Sequence, residues 1–294
     1  MKLSALLPIS LLLGPSSARP SRRASSAAHS HQLSHIPIPS IPGPSFHPAG
    51  TPKIALTSSA STSPESTKAG ARLAGGSNIT SVSAVFRIPS AEMPISGPTA
   101  GNENGVYQAS YWVGIDGLTA SSCGGVGMRA GVDTFWDAGE RSAGVWWEWY
   151  PAQGPSQFEG GFEVGQGDVV RITAAADVGG LGGEVLVEKM DGTGCEAKVL
   201  GSARKRFDGL AEGERLCLGE AAVVIEDYPI VGRPEVPLPF ANFTEMVFER
   251  VKVGGVKAEG LEVFDVRLEA QGGRLTDCEA GEGRVDCRRV VGDE

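Results

Sequence analysis

From residue 80 to residue 288 the chain runs as about ten short strand-like stretches broken by Gly, Pro and Asp turns, a rhythm that suits sheets and little else. Residues 80–88 alternate, with Val82, Ala84, Phe86 and Ile88 set against Ser81, Ser83, Val85 and Arg87, and the run stops at Pro89. Residues 107–115 end at Asp116-Gly117, and residues 130–136 and 145–150 flank the turn Asp137-Ala138-Gly139-Glu140. Further strands are predicted over 169–174, 183–188, 221–226, 245–251, 261–268 and 283–288. Glycine supplies 41 of the 294 residues, which favours turns over helices. No helix and no internal repeat is expected. The predicted fold class is all-β, an antiparallel β-sandwich of two sheets.

One of these stretches stands out chemically. Val145-Trp146-Trp147-Glu148-Trp149-Tyr150-Pro151 holds three of the five tryptophans of the chain. In a strand, side chains alternate between faces. Trp146, Glu148 and Tyr150 then share one face, and Val145, Trp147 and Trp149 share the other. The second face reads as core. The first mixes amphipathic aromatics with an acid, which suits a cleft floor or, equally, a core strand with one acid turned to water.

The two ends of the chain differ. Met1-Lys2 followed by the apolar run 3–14 and the small residues Ser16-Ser17-Ala18 has the pattern of a secretory signal peptide over residues 1–18. That run is too short to span a bilayer and no later one reaches about 20 residues, so no membrane anchor is expected. Residues 19–70 are expected to be a propeptide or disordered leader, rich in Ser, Pro and Ala, with Arg22-Arg23 as a processing site. The sandwich domain is expected over 71–294. Residues 1–70 hold six basic residues and one acid; since the whole chain carries −9, the remainder carries −14. So acidic a domain repels nucleic acid and anionic membranes, and neither is an expected partner. A monomer is expected.

All four histidines (His29, His31, His35 and His47) precede the predicted domain. This removes Ser-His and Cys-His nucleophilic mechanisms and histidine-ligated zinc from it. Acid–base chemistry there must rest on carboxylates. Of the five cysteines, Cys123, Cys195, Cys217, Cys278 and Cys287, none has CxxC spacing, so neither a metal nor a cofactor is expected. In a secreted chain they suggest disulfides: Cys278 with Cys287 first, Cys195 with Cys217 second, and Cys123 left over. Asn78-Ile79-Thr80 and Asn242-Phe243-Thr244 are glycosylation sequons.

Four segments in order resemble the glutamic peptidase (eqolisin) family of secreted acid proteases. They are Tyr111-Trp112-Val113-Gly114-Ile115-Asp116-Gly117, Ala130-Gly131-Val132-Asp133, Trp147-Glu148-Trp149-Tyr150-Pro151, and Val224-Ile225-Glu226-Asp227 with Pro239-Phe240-Ala241-Asn242-Phe243 after it. The resemblance implies a concanavalin A-like sandwich, as in lectins and glucanases, and a polypeptide substrate. It implies catalysis by a glutamate, here Glu226, as general base on water and then as acid toward the leaving amine. The family's partner glutamine falls on Arg129, after an insertion of about three residues around Cys123, with no Gln nearby in the sequence to take its place. Gln108, on the alternation face of Trp112, is a further candidate. Asp116, Asp133, Trp146, Glu148 and Tyr150 match substrate-cleft residues, and Trp112 lines the same cleft. Gly144 stands where the family has an aspartate, and Ala222-Val223 where it has Glu-Trp.

A guanidinium has five donors and no acceptor. Arg129 can stabilise an oxyanion, a contribution worth roughly 3–4 kcal/mol in other hydrolases, but it cannot accept a hydrogen bond from the attacking water. Pairing with Arg129 would also leave Glu226 a weaker base. The expected function is therefore a secreted acid endopeptidase with Glu226 and Arg129 at its centre. The alternative is a non-catalytic sandwich that binds peptide or glycan in the same aromatic cleft.

Overall fold

Alternation and β-branched content place the strands largely where the pattern predicts them. The computed structural model describes residues 66–290, except 77, 95–96, 98–104, 119–121, 228, 231–232, 238 and 269–272. Residues 1–18 and 19–65 of the predicted signal peptide and leader lie outside the described residues. One sheet has seven strands in the order β15 (Glu262–Phe264), β1 (Lys68–Ala74), β10 (Glu220–Glu226), β3 (Val106–Asp116), β4 (Gly127–Asp137), β5 (Glu140–Tyr150) and β6 (Gln153–Gln157). The other runs β18 (Thr276–Gly281), β19 (Arg284–Arg289), β13 (Glu245–Val253), β2 (Ser81–Arg87), β7 (Val169–Ala176), β8 (Gly183–Met190) and β9 (Val199–Phe207), with β14 (Val256–Lys257) beside β13. Two hairpins stand apart, β11 (Pro229–Ile230) with β12 (Arg233–Pro237), and β16 (Arg267–Leu268) with β17 (Gly273–Arg274). All these strand pairs are antiparallel. The all-β two-sheet sandwich is thus the fold of this chain.

The core lies between the sheets. Tyr111, Val113, Ile115, Met128, Val132 and Trp149 of the first sheet meet Phe86, Val170, Ile172, Val185, Val187 and Phe248 of the second, all buried. β10 is the most interior strand of the first sheet: its sequence Glu-Ala-Ala-Val-Val-Ile-Glu is buried at every position. Apolar side chains on both faces are what a strand needs when one face meets the core and the other meets a second apolar layer. The β4–β5 hairpin turns on Ala138 and Gly139 alone, both at positive φ, +47° and +100°. That is the geometry of a two-residue turn whose twist matches the strands, and glycine adopts it without cost.

Several elements differ from the sequence expectation. β1 begins at Lys68, so residues 68–70, assigned above to the leader, belong to the sandwich. β1, β6, β9 and β18 carried no alternation strong enough to be predicted. β9 is an edge strand whose exposed positions need no apolar residue. The stretch 261–268 splits into β15 and β16.

The disulfides are Cys278–Cys287, as expected first, and Cys123–Cys217; Cys195 is free and exposed. The expected Cys195–Cys217 pair is therefore corrected. The reason is topological. β3 and β10 are neighbours with Ile115 opposite Ala221, so the residues after β3 and those before β10 emerge at the same end of the sheet. Cys195 lies between β8 and β9 on the other sheet. No helix among the described residues is long and apolar enough to cross a membrane.

Candidate active site

The outer face of the seven-stranded sheet is built from three cross-strand rows. The first is Lys68, Glu226, Ser110, Asp133 and Gly144 on β1, β10, β3, β4 and β5. The second is Gly70, Val224, Trp112, Gly131 and Trp146, and the third is Arg72, Ala222, Gly114, Arg129 and Glu148. Residues in one row are directly opposed across the strands, and rows two residues apart share a face. The face assignment for 145–150 holds: Trp146 and Glu148 belong to this surface, whereas Val145 and Trp149 are in the intersheet core. Tyr150 lies at the rim, 47% exposed.

Trp112 and Trp146 form the floor with Ala222, Val224 and Leu118. Gly131 between them is required, because a Cβ there would sit 2.7 Å from Trp112 Cβ and 2.7 Å from the Trp146 ring. The two indoles close over β4 through that gap.

Glu226 ends β10 and is only 7% exposed. The Trp112 indole N–H donates to its Oε2 at 2.7 Å, and Lys68 Nζ is 3.1 Å from its Oε1. Arg129 starts two strands away and two rows along, yet its guanidinium reaches Glu226 by lying over Trp112, 5.1 Å from the ring centroid. Nη1 of Arg129 stops 4.0 Å from Glu226 Oε2. Its Nε is committed to Glu148 Oε2 at 2.6 Å, and Tyr150 lies on it at 5.8 Å. Arg129 is therefore not locked in a bidentate pair with Glu226; its tight partner is Glu148. Charges alternate along this chain: Lys68, Glu226, Arg129, Glu148.

Burial pushes the Glu148 carboxyl above its ordinary range, and the Glu226 charge adds to this; Arg129 and Lys68 oppose it. Asp133 accepts the Trp146 indole N–H at 2.8 Å. Burial, with a smaller contribution from the Glu226 charge, raises its pKa to about 7, against hydrogen bonds from Ser110 and Trp146. Asp133 consequently carries its proton in acid. Gly144 next to it leaves open space: a Cβ there would find Gln157 Nε2 no nearer than 3.8 Å.

Of the predicted residues, Glu226, Arg129, Trp112, Asp133, Trp146, Glu148 and Tyr150 come together on this face. Asp116 does not. It ends β3 at φ +57° and turns its carboxylate on the backbone N–H groups of Leu218, Gly219 and Glu220 at 2.7, 3.0 and 3.0 Å. Asp116 clamps the approach to β10 and is spent on structure. Gln108 shares the face but sits one row beyond Ser110, with its backbone bridged to Pro239 and Ala241. Its Nε2 is buried without a hydrogen-bond partner among the described residues.

Two residues escaped the sequence reading. Lys68 lay in the stretch assigned to the leader, and nothing local marks it, because its partner is 158 positions on in the chain, at Glu226. Ser110 is fully buried, stands between Glu226 and Asp133 in the first row and hydrogen-bonds Asp133, and one serine in an apolar strand gives no signal. Among the described residues no three His, Cys, Asp or Glu side chains cluster to hold a metal ion.

Comparison with known proteins agrees with the two-sheet fold. The chain is 28% identical over 294 residues to aspergillopepsin-2 of Aspergillus niger, covering 94% of this chain and 95% of that protein. Its fold matches the crystal structure of scytalido-glutamic peptidase bound to a peptide-based transition state analogue, with a TM-score of 0.59 and 26% identity over 77% of this chain and 99% of that one. It also matches aspergilloglutamic peptidase from Aspergillus niger, with a TM-score of 0.51 and 28% identity over 63% of this chain and 99% of that one. The family model of the Peptidase A4 family matches residues 66–289, and this chain belongs to that family.

Proposed function

We propose that this protein is a secreted endopeptidase of the glutamic type that works in acid, with Glu226 as its base. The observation that carries the reading is the convergence of Glu226 and Arg129 over Trp112, 4.0 Å apart on one face of one sheet. Glu226 takes a proton from water, and the water oxygen adds to the peptide carbonyl carbon. The carbonyl oxygen becomes an oxyanion, for which the Arg129 guanidinium supplies N–H donors. Glu226 then returns the proton to the leaving nitrogen as the C–N bond breaks. Trp112 fixes the carboxylate through its N–H, and Trp146, Tyr150, Glu148 and Asp133 line the path of an extended polypeptide. Arg129 acts as a donor only, so orientation of the water rests on Glu226.

The relatives are peptidases, one of them solved with a peptide-based transition state analogue, which supports a polypeptide substrate here. The signal pattern over 1–18, the two disulfides and the fungal relative support secretion, with residues 19–65 as a leader removed on maturation. The strongly negative domain supports a monomer that avoids nucleic acid and anionic membranes.

The test is digestion of a denatured protein by the secreted chain between about pH 2 and pH 5. Cleavage is expected, and Glu226→Gln abolishes it while leaving the fold intact. Arg129→Gln raises the rate, since a carboxamide both donates to the oxyanion and accepts from the water. The tight Arg129–Glu148 pair favours a second reading, a sandwich that binds peptide without cutting it. Absence of cleavage by both Arg129 forms, with retained peptide binding, would establish that reading instead.

A further inference from the structure

Glu226 has a second cationic neighbour that no part of the peptidase reading uses. Lys68 Nζ sits 3.1 Å from Glu226 Oε1, closer than Arg129 at 4.0 Å, and on the other carboxylate oxygen. Trp112 holds Oε2. A carboxylate fixed by one donor can still rotate about its terminal torsion, which is soft. Fixed by donors on both oxygens, it cannot.

Lys68 is not a loose surface lysine. Its side chain is 25% exposed, and its backbone is anchored from several sides. The hydroxyl of Ser66 accepts from Lys68 N at 3.2 Å and donates to Lys68 O at 3.0 Å. Ser66 itself is bridged to Arg267 by two backbone bonds of 2.8 Å. One residue further on, the Asp227 N–H donates to Thr67 O at 2.8 Å, which ties the start of β1 to the residue after Glu226. Gly70, opposite Val224, lets β1 come close: a Cβ there would lie 2.2 Å from the Val223 carbonyl oxygen. Lys68 and Glu226 are thus paired in register, like two members of one ladder rung. Lys68 also lines a cavity of about 410 Å³ with Ser66, Thr67, Leu118 and Leu268.

We propose that Lys68 is a positioning residue for the reaction, holding the Glu226 carboxylate in the one orientation that presents a free lone pair to water. This rests on the peptidase reading given above. An ammonium has three N–H donors, and one of them is enough to hold Oε1 of Glu226. Arg129 cannot replace it, because its Nε is bound to Glu148 and its reach to Glu226 is beyond hydrogen-bond length. It follows that leader removal must leave the chain intact from Ser66 onward.

The experiment compares wild type, Lys68→Met and Lys68→Arg in steady-state cleavage of a peptide substrate at acidic pH, with thermal unfolding of each. Lys68→Met, which keeps the stem and removes the charge, is expected to lower kcat at least about tenfold, as loss of a charge-assisted hydrogen bond in a transition state does, with KM within about twofold. Lys68→Arg is expected to restore a large part of kcat. A Lys68→Met protein with wild-type kcat would overturn the inference, as would a loss that tracks unfolding and is not restored by arginine. If wild type cleaves nothing, the peptidase reading fails first. The ¹³C signal of the Glu226 carboxyl then decides the remaining part: a shift between wild type and Lys68→Met at one pH supports the contact, and an unchanged signal refutes it.

Discussion

At the residue scale, Arg129 does two jobs that pull against each other. It offers donors beside Glu226, and it neutralises Glu148, whose side chain is only 9% exposed. Removing one partner of a buried ion pair leaves the other charge without compensation, a loss of about 3 kcal/mol or more. Arg129→Gln is therefore expected to destabilise the fold by about 3 kcal/mol at pH 7 and by distinctly less at pH 3. The sign follows from Glu148: its carboxyl is raised by burial, so in acid it is protonated and needs no cation. Chemical denaturation of the two proteins at both pH values measures this, and equal losses would count against it. The same variant is expected to cut faster in acid, so its gain in activity and its loss in stability separate along the pH axis. Asp116 shows the opposite allocation: a motif residue whose three backbone contacts consume its carboxylate.

At the element scale, the loop after β3 governs the cleft floor. Leu118, just past the end of β3, packs against Trp112 and Trp146, and Cys123 a few residues on is bonded to Cys217 before β10. This bridge spans 94 positions, whereas Cys278–Cys287 spans nine between two strands already paired. Closing a long loop removes more entropy from the unfolded chain than closing a short one. The double change of Cys123 and Cys217 to serine is expected to cost about 3–4 kcal/mol in urea unfolding, more than the same change at Cys278 and Cys287. It should also raise KM, since Leu118 loses its tether; an unchanged KM would separate the loop from substrate binding.

At the scale of the whole molecule, pH acts through buried carboxyls. Asp133 rises from an ordinary 3.8 to about 7 in the folded protein, and burial raises Asp116 and Glu148 as well. Between those values the folded state binds more protons than the unfolded one, so stability falls as pH rises. This contribution is fully present below about pH 4 and lost through about pH 7, worth at most about 4 kcal/mol for Asp133. The acidity of the domain adds self-repulsion in the same direction. The unfolding temperature is accordingly expected to be higher at pH 4 than at pH 7.5. Asp133→Asn should flatten this slope; a slope unchanged in that variant would assign the effect elsewhere. A domain built this way is at home in the acid where a carboxylate peptidase would work.

The linear order of residues carried the sandwich, the alternation face of 145–150 and the Cys278–Cys287 bridge, and it set Glu226 and Arg129 in the motif strings on which the proposed site rests. Each of these depends on neighbours close in the chain, or on motif strings whose spacing is itself local. Only the folded sheet decided the rest. Cys123 found Cys217 because β3 lies beside β10. Arg129 took Glu148 as its close partner because β4 lies beside β5. Asp116 was taken up by backbone N–H groups because its strand ends where the chain re-enters for β10. Lys68 reached Glu226 because β1, a strand with almost no sequence signal, pairs in register with β10 from far along the chain. A cross-strand neighbour is set by the ladder of hydrogen bonds and not by sequence distance, and the ladder exists only once the sheet has formed.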